Sequence, residues 1–186
     1  MGILKKDGYM PVNEAVIIPT GNEIREGIVL DTNSPAVMYS LVCMEPLCLV
    51  HRETPVNDDK IAICQAIERW IEKNVGLIVL IGGSGGGHRF SSTLSEDYTH
   101  TALEEFLDEK AVQEIWGKNG HLWCKLLCGK KNGTVIVNIP GPFVEAKAAI
   151  EAFCRTYQES PSNFTRINAA MASAVLAQYP ENAAVS

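Results

Sequence analysis

The sequence lacks an excess of positive charge and lacks any long hydrophobic run. Its 186 residues carry 16 Lys and Arg against 22 Asp and Glu, for a formal net charge of -6 at pH 7. Binding to a nucleic-acid backbone depends on clustered cations, so no nucleic-acid partner is expected. No apolar stretch approaches the ~18 residues of a membrane-spanning helix, so no membrane association is expected either.

Cysteine pairs with metal-site spacing are missing as well. None of the six cysteines forms a C-x-x-C pair, and Cys124 and Cys128 have no second close pair to complete a zinc site. The opening MGILKKD has two lysines but no apolar stretch behind them, unlike a secretory signal. We therefore expect reduced thiols and a cytoplasmic protein.

The composition that is present is that of a globular domain. Hydrophobic residues make up 46% of the chain and charged residues 20%, which is enough apolar material for a sizeable core. The length fits one ordinary domain. We expect a lead-in over residues 1–12, an α/β domain over 13–158, and a C-terminal helix and tail over 159–186.

Short apolar runs alternate with segments of helical periodicity along most of the chain. Strands are predicted within 14–21, 46–53 and 77–81, and as a hairpin over 121–141. Helices are predicted from Asp31, from about Asp58, as one or two helices over 97–119, and over 142–157 and 163–179, with a frayed tail over 181–186. This order predicts an α/β fold, a three-layer sandwich with a mainly parallel sheet. Trp70, Trp116 and Trp123 lie in periodic segments and are expected in the core.

A glycine-rich loop follows the most apolar of these strands. Leu77–Ile81 contains no polar residue, and GGSGGG follows it over 82–87. Glycines let the main chain approach a ligand and direct several N–H groups at one oxygen, which suits phosphate. The loop is not a P-loop, because His88 and Arg89 stand where Lys and Ser or Thr are required. A merely flexible loop is the alternative.

Acidic residues stand near the ends of the same predicted strands. Asp58 and Asp59 begin one predicted helix, Asp97 begins another, and Glu23 lies in the loop TGNE. Each aspartate is a candidate helix N-cap, and Glu23 can be a solvated loop residue. Ligands of parallel sheets bind at the carboxyl ends of strands, where carboxylates can hold a divalent cation beside a phosphate. We therefore expect the loops TGNE (20–23), NDD (57–59) and GGSGGG (82–87) to meet at one edge of the sheet.

Six segments together resemble the motifs of a known family. They are TGNEI (20–24), GIVLDTNSP (27–35), NDD (57–59), IGGSGGG (81–87), DYTHTALEEF (97–106) and NIPGPF (138–143). In this order they resemble the molybdopterin-binding domain family of molybdenum cofactor biosynthesis. That family includes molybdopterin adenylyltransferases, the central domain of molybdopterin molybdotransferases and a domain of the competence-damage proteins. The resemblance runs from about Val16 to Phe153.

The resemblance implies roles for individual residues. Catalysis would fall to Asp58, Asp97 and Glu23, and Asp58 and Asp97 would also bind Mg²⁺. The residues implied in binding the pterin phosphate or shaping the pocket are Thr20, Gly21, Asn22, Gly82, Gly83, Ser84, Gly85, Thr99, Pro140 and Gly141.

Three departures from the family pattern stand out. The stretch HRFSSTLSE between Gly87 and Asp97 is longer than the usual link. The turn P-G-P is one residue short of P-G-N-P, and Asn22 replaces an acidic residue.

The resemblance also implies a function. An enzyme is the leading hypothesis, one that transfers an adenylyl group from Mg-ATP to molybdopterin or carries out the linked molybdate insertion. The alternatives are a non-catalytic molybdopterin carrier or sensor, and a nucleotide-processing domain like that of the competence-damage proteins. Relatives commonly form trimers, so a homotrimer is expected.

Overall fold

The computed structural model describes Tyr9, residues 11–85, 98–118 and 120–179, and the backbone of Ala183–Val185. Asp97, the end of the glycine loop and the long link that follows it lie outside the described residues. The strands are β1 Glu14–Pro19, β2 Leu49–Arg52, β3 Leu77–Ile81, β4 Glu109–Gly117, β5 Leu122–Lys131, β6 Thr134–Ile139 and β7 Ala183–Val185. The helices are α1 Asn22–Arg25, α2 Asn33–Met44, α3 Lys60–Glu72, α4 Tyr98–Phe106, α5 Phe143–Glu159 and α6 Phe164–Leu176.

The described strands form one sheet in the order β2-β1-β3-β6-β5-β4-β7. The pairs β1–β2, β1–β3 and β3–β6 are parallel. The pairs β5–β6, β4–β5 and β4–β7 are antiparallel. The sheet is therefore parallel over its first four strands and is extended by an antiparallel part.

Helices cover both faces of this sheet, because the central strands are apolar at every position. In β3, Leu77 and Val79 belong to the core that α2, α5 and α6 complete. The alternate residues Ile78 and Leu80 belong to the second core, beneath α3 and α4. Successive side chains of a strand point to opposite faces, so a run without polar residues needs cover on both. The predicted α/β class and the three layers are confirmed.

The helical prediction for residues 97–119 is wrong over its second half. Helix α4 ends at Phe106, and Glu109–Gly117 forms β4. Glu, Lys, Ala and Gln in this stretch favour a helix, but pairing with β5 from Glu109 opposite Lys130 to Trp116 opposite Leu122 outweighs that preference.

The predicted frayed tail is also partly wrong. Ala183–Val185 pairs with β4 as the edge strand β7, with Ile115 opposite Val185. Three small or β-branched residues give too short a pattern to predict a strand without its partner.

No helix within the described residues is long and apolar enough to cross a membrane.

Candidate functional site

The carboxyl ends of three parallel strands are tied together at one edge of the sheet. The N–H of Thr20, just after β1, donates to the carbonyl of Ile81 at the end of β3, at 2.8 Å. The N–H of Gly82 donates to the carbonyl of Ile139 at the end of β6, at 3.1 Å. These bonds bring the loops that follow the three strands side by side.

The loops enclose a cleft of about 460 Å³. Its lining comes from these three loops, from the loop between β2 and α3, from the starts of α2 and α5, and from β5. The lining residues are Pro19, Thr20, Gly21, Glu23, Ile24, Val29, Asp31, Asn33, Asp58, Ile81, Gly82, Gly83, Ser84, Gly85, Trp123, Cys124, Gly141, Pro142 and Glu145. Thr20, Asp58 and Gly83, expected to meet at one edge, therefore do so.

The glycine loop is shaped by positive backbone angles that favour glycine. Gly83 has φ +57°, and a Cβ on it would lie 2.3 Å from Oγ1 of Thr99. Gly82 has φ +98°, and a Cβ there would lie 2.9 Å from the carbonyl oxygen of Thr20. Only bare main chain fits these positions.

The loop leaves main-chain donors available to a ligand. Among the described residues, no acceptor is bonded to the N–H groups of Gly83, Ser84 or Gly85. Their carbonyls are held instead: Gly83 accepts from the N–H of His100 and Ser84 from the N–H of Lys125. Successive free N–H groups of this kind bind anions.

Thr99 supports the loop from behind. Its side chain is fully buried, and its Oγ1 lies 3.0 Å from Oγ1 of Thr20, which in turn donates to the carbonyl of Ile81. Thr99, Asn22 and Pro140 do not line the cleft, unlike the other described residues of the expected site. Asn22 lies next to the cleft and accepts the N–H of Asp58 on its Oδ1 at 3.1 Å.

The adjacent acids Asp58 and Asp59 occupy different places. Oδ1 of Asp59 accepts the N–H of Ala62 at 2.7 Å, which makes it the N-cap of α3. Asp58 is half-buried and lines the cleft. Glu23 reaches the same cleft from the first turn of α1.

A third acid at the cleft, Asp31, is paired with a cation of the protein itself. It accepts the N–H of Ser34 at 2.9 Å, and its Oδ2 lies 2.7 Å from the guanidinium of Arg52. Burial works against the charge, but the bonds from Ser34 and Arg52 outweigh it and hold the pKa of Asp31 below its ordinary value. Asp31 therefore fixes the start of α2.

Asn33 joins the starts of two helices. Its Nδ2 donates to the carbonyl of Gly141 at 2.6 Å, which links the start of α2 to the turn before α5. Its Oδ1 is buried and has no hydrogen-bond partner within the part of the chain described.

Trp123 and Glu145 line the remaining side of the cleft, and Tyr179 contacts both from behind. We call these three residues the aromatic wall. Glu145 is 4% exposed, lies in the first turn of α5 and accepts the hydroxyl of Tyr179 at 2.9 Å. Burial raises the pKa of Glu145, and the hydrogen bond from Tyr179 offsets only part of this. Trp123, expected in the core, is half-buried and lines the cleft.

The aromatic wall has little signal in the sequence. Glu145 falls in a predicted helix, and Trp123 lies in a strand whose alternation indicates only burial. Tyr179 follows α6 and belongs to no motif. The position of Glu145 in the first helical turn after the Pro-Gly-Pro turn was the one sequence signal for a site residue here, because such turns stand at strand ends.

Comparison with known proteins bears on the family and the fold. A sequence profile for the family described as "Probable molybdopterin binding domain" matches residues 16–159. A sequence search among curated proteins finds no significant match.

Solved structures share this fold at low sequence identity. The molybdopterin biosynthesis enzyme MoaB from Thermus thermophilus aligns with a TM-score of 0.59 and 19% identity, over 82% of this chain and 96% of that one. The tungsten cofactor synthesizing protein MoaB from Pyrococcus furiosus gives 0.60 and 15%, over 83% and 98%. CinA from Thermoplasma acidophilum, whose function is unknown, gives 0.54 and 16%, over 81% and 98%.

Proposed function

Because the chain belongs to the molybdopterin-binding domain family, we propose that it binds molybdopterin in the cleft and adenylylates it in molybdenum cofactor biosynthesis. The observation that carries this proposal is the set of free N–H groups on Gly83, Ser84 and Gly85, beside the half-buried Asp58. Donors suited to a phosphate and a carboxylate suited to its counter-ion face the same space.

In adenylyl transfer, a phosphate oxygen of the pterin attacks the α-phosphorus of ATP. A new P–O bond forms, the bond to the β-phosphate oxygen breaks, and pyrophosphate leaves. The protein's task is to hold both phosphates in line and to offset their charge. The glycine loop would hold the pterin phosphate, with Thr20 and Gly21 beside it, and Pro140 and Gly141 would form the turn opposite.

Asp58 and Asp97 would hold Mg²⁺, and the bound ion would neutralise part of the phosphate charge. Mg²⁺ is usually bound through one or two carboxylates together with substrate phosphates. No three His, Cys, Asp or Glu side chains of the described residues cluster as a metal site. The nucleotide phosphates would supply the other ligands of the ion. The role of Asp97 comes from the resemblance of DYTHTALEEF to the family motif. Glu23 would line the space that the reacting phosphates occupy.

The test is incubation with molybdopterin and Mg-ATP in a cytoplasm-like reducing buffer, with detection of adenylylated pterin and pyrophosphate. Asp58→Asn should lower turnover by about 10²-fold or more, the loss typical of removing one charge-stabilising group. Asp59→Asn is the matched control and should retain activity. Absence of product with wild type, or equal turnover in Asp58→Asn, would contradict the proposal. Adding molybdate to the same assay tests the linked insertion step.

A non-catalytic carrier or sensor is the second candidate. Asn22 stands where the family has an acid. Its side-chain oxygen accepts a hydrogen bond from the N–H of Asp58, and its amide carries no charge. A carrier would bind molybdopterin equally well with Asp58→Asn and form no product. The sequence resemblance to the competence-damage proteins adds a nucleotide-processing domain as a third candidate, which preferential binding of ADP-ribose over the pterin would support.

A homotrimer is proposed from the apolar surface around α2 and the edge strand β2. The large side chains exposed there are Ile28, Leu30, Tyr39, Leu47 and Leu49. We attribute the exposure of these large apolar side chains to contacts between copies of the chain.

A further inference from the structure

The cleft has two chemically different sides. The glycine loop offers N–H donors, whereas the aromatic wall offers a carboxylate and an indole. Gly85 lies against β5 next to Trp123, since a Cβ on Gly85 would be 3.5 Å from Cα of Cys124. Gly141, four residues before Glu145, is equally close to the loop, since its Cβ would be 3.9 Å from Cα of Gly82. A single small ligand can therefore touch both sides.

Glu145 is a buried acceptor without a cation. Within the described residues, the hydroxyl of Tyr179 is the one hydrogen-bond partner of its carboxylate, and no salt bridge reaches it. That bond uses one of the two lone-pair sites of Oε1 and fixes the direction of the carboxylate, so both oxygens can still accept a donor. A buried acid retained in this state is costly unless a ligand supplies further donors.

Trp123 is held in place by the same tyrosine. The two rings meet edge to face, with centroids 4.6 Å apart and planes at 66°. Tyr179 therefore orients both the carboxylate and the indole, and the indole still lines the cleft. Indole surfaces in clefts stack on planar heteroaromatic rings.

We propose that the aromatic wall recognises a 2-amino-4-oxopyrimidine ring, with Glu145 accepting the 2-amino and ring N–H groups and Trp123 stacking on the ring. A carboxylate accepts two parallel N–H donors in the way it accepts a guanidinium fork. Pterins and guanine share this edge. The inference rests on the proposed function for its choice of the pterin, and it assigns the ring to this wall and the phosphate to the glycine loop.

The experiment is calorimetric titration with pterin and with lumazine, which has an oxo group in place of the 2-amino group. Wild type should bind pterin at least about 10-fold more tightly, since a site built for a donor rejects the analogue that lacks it. Glu145→Gln should weaken pterin binding by about 10- to 100-fold and erase the preference. Trp123→Leu should weaken both ligands by about 10-fold and leave the preference intact.

Glu45→Gln is the matched control. Glu45 is also buried and also accepts a tyrosine hydroxyl, that of Tyr9, but it lies outside the cleft. It should change neither affinity nor preference. Circular dichroism of each variant confirms folding, and Trp123→Leu tests the wall independently of Glu145.

The outcomes separate this inference from the proposed function. Molybdopterin binding by wild type with an unchanged pterin preference in Glu145→Gln overturns the inference alone. Glu145-dependent binding of guanosine monophosphate over adenosine monophosphate, without molybdopterin binding, supports the wall and overturns the proposed function. Wild type that binds neither molybdopterin nor pterin nor guanosine monophosphate overturns both.

Discussion

The adjacent residues Asp58 and Asp59 differ in role, because Asp58 lines the cleft and Asp59 caps α3. Asp59→Ala removes the N-cap of α3 and should cost about 1 kcal/mol of unfolding free energy, with ligand affinity unchanged. Asp58→Ala should have the opposite profile, with stability nearly unchanged and turnover lost. Urea unfolding and the adenylylation assay on the same preparations measure both. Equal stability of the two variants would contradict the assignment.

At Gly83 even the addition of one methyl group should destabilise the fold. Gly83→Ala adds a left-handed backbone penalty and a collision with Thr99, for a loss of about 2 kcal/mol or more. Gly27→Ala is the control, because Gly27 has φ +74° and nothing within 4 Å of its would-be Cβ. It should lose about 1 kcal/mol from the backbone alone. Thermal unfolding of both variants isolates the contact with Thr99, and equal losses would refute its importance.

Glu145 should make stability depend on pH in an unusual direction. Burial raises its pKa above the ordinary value of 4.5, so the folded chain keeps a proton that the unfolded chain has released. Stability therefore falls as pH rises from about 4.5 through the raised pKa. Glu145→Gln, which cannot ionise, should unfold at a higher temperature than wild type above this window and lose that advantage below it. If the difference in unfolding temperature between wild type and Glu145→Gln does not change with pH, the burial effect on Glu145 is contradicted.

Residues of the cleft differ in how far the sequence could predict them. Thr20, Asp58 and Gly83 could be found because strand ends, adjacent acids and consecutive glycines are local patterns. Glu145 and Trp123 could not, since their environment is created by Tyr179, which is distant in sequence. Local patterns predict main-chain sites, and side-chain clusters need the tertiary fold.

At the scale of elements, the buried side-chain amide of Asn168 forms hydrogen bonds from α6 to the sheet. Nδ2 of Asn168 donates to the carbonyl of Ala111 on β4 at 3.0 Å and to that of Leu126 on β5 at 2.9 Å. Asn168→Ala should cost about 1–3 kcal/mol, because it leaves buried carbonyls without that donor.

Gln178→Ala is the comparison for this change. Its amide donates to Ala174 within the same C-terminal stretch and is exposed. It should change stability by less than about 0.5 kcal/mol. Urea unfolding should separate the two variants, and equal midpoints would show that the Asn168 bonds do not secure α6.

Elements were predictable where their pattern was self-contained. β1, β3, the β5–β6 hairpin and α5 follow directly from apolar runs, a turn signal and helical periodicity. β4 was not predictable in this way, because its residues favour a helix. Its strand conformation comes from pairing with β5 at eight positions. The sequence therefore predicted the antiparallel β5–β6 pair but not the addition of β4 and β7 to the sheet.

At the scale of the whole molecule, the exposed apolar surface around α2 and β2 should decide assembly. Leu47 is 96% exposed and Leu30 is 81% exposed. Leu30→Glu and Leu47→Glu should each shift a trimer toward monomer in light scattering, because a buried charge at an interface is costly. Ile61→Glu, on α3, is the control, since Ile61 is also exposed but lies on the helix layer that covers the other face of the sheet. A monomeric wild type would contradict the trimer.

The position of Tyr179 has a genetic consequence. A premature stop directly after Leu176 would spare Val175, the last buried core side chain of α6, and delete Tyr179 together with β7. The shortened product should accumulate and still capture phosphate groups, yet lose its ability to tell one heterocycle from another. Such an allele would score as mild in a screen for protein abundance and as severe in one for metabolic fidelity.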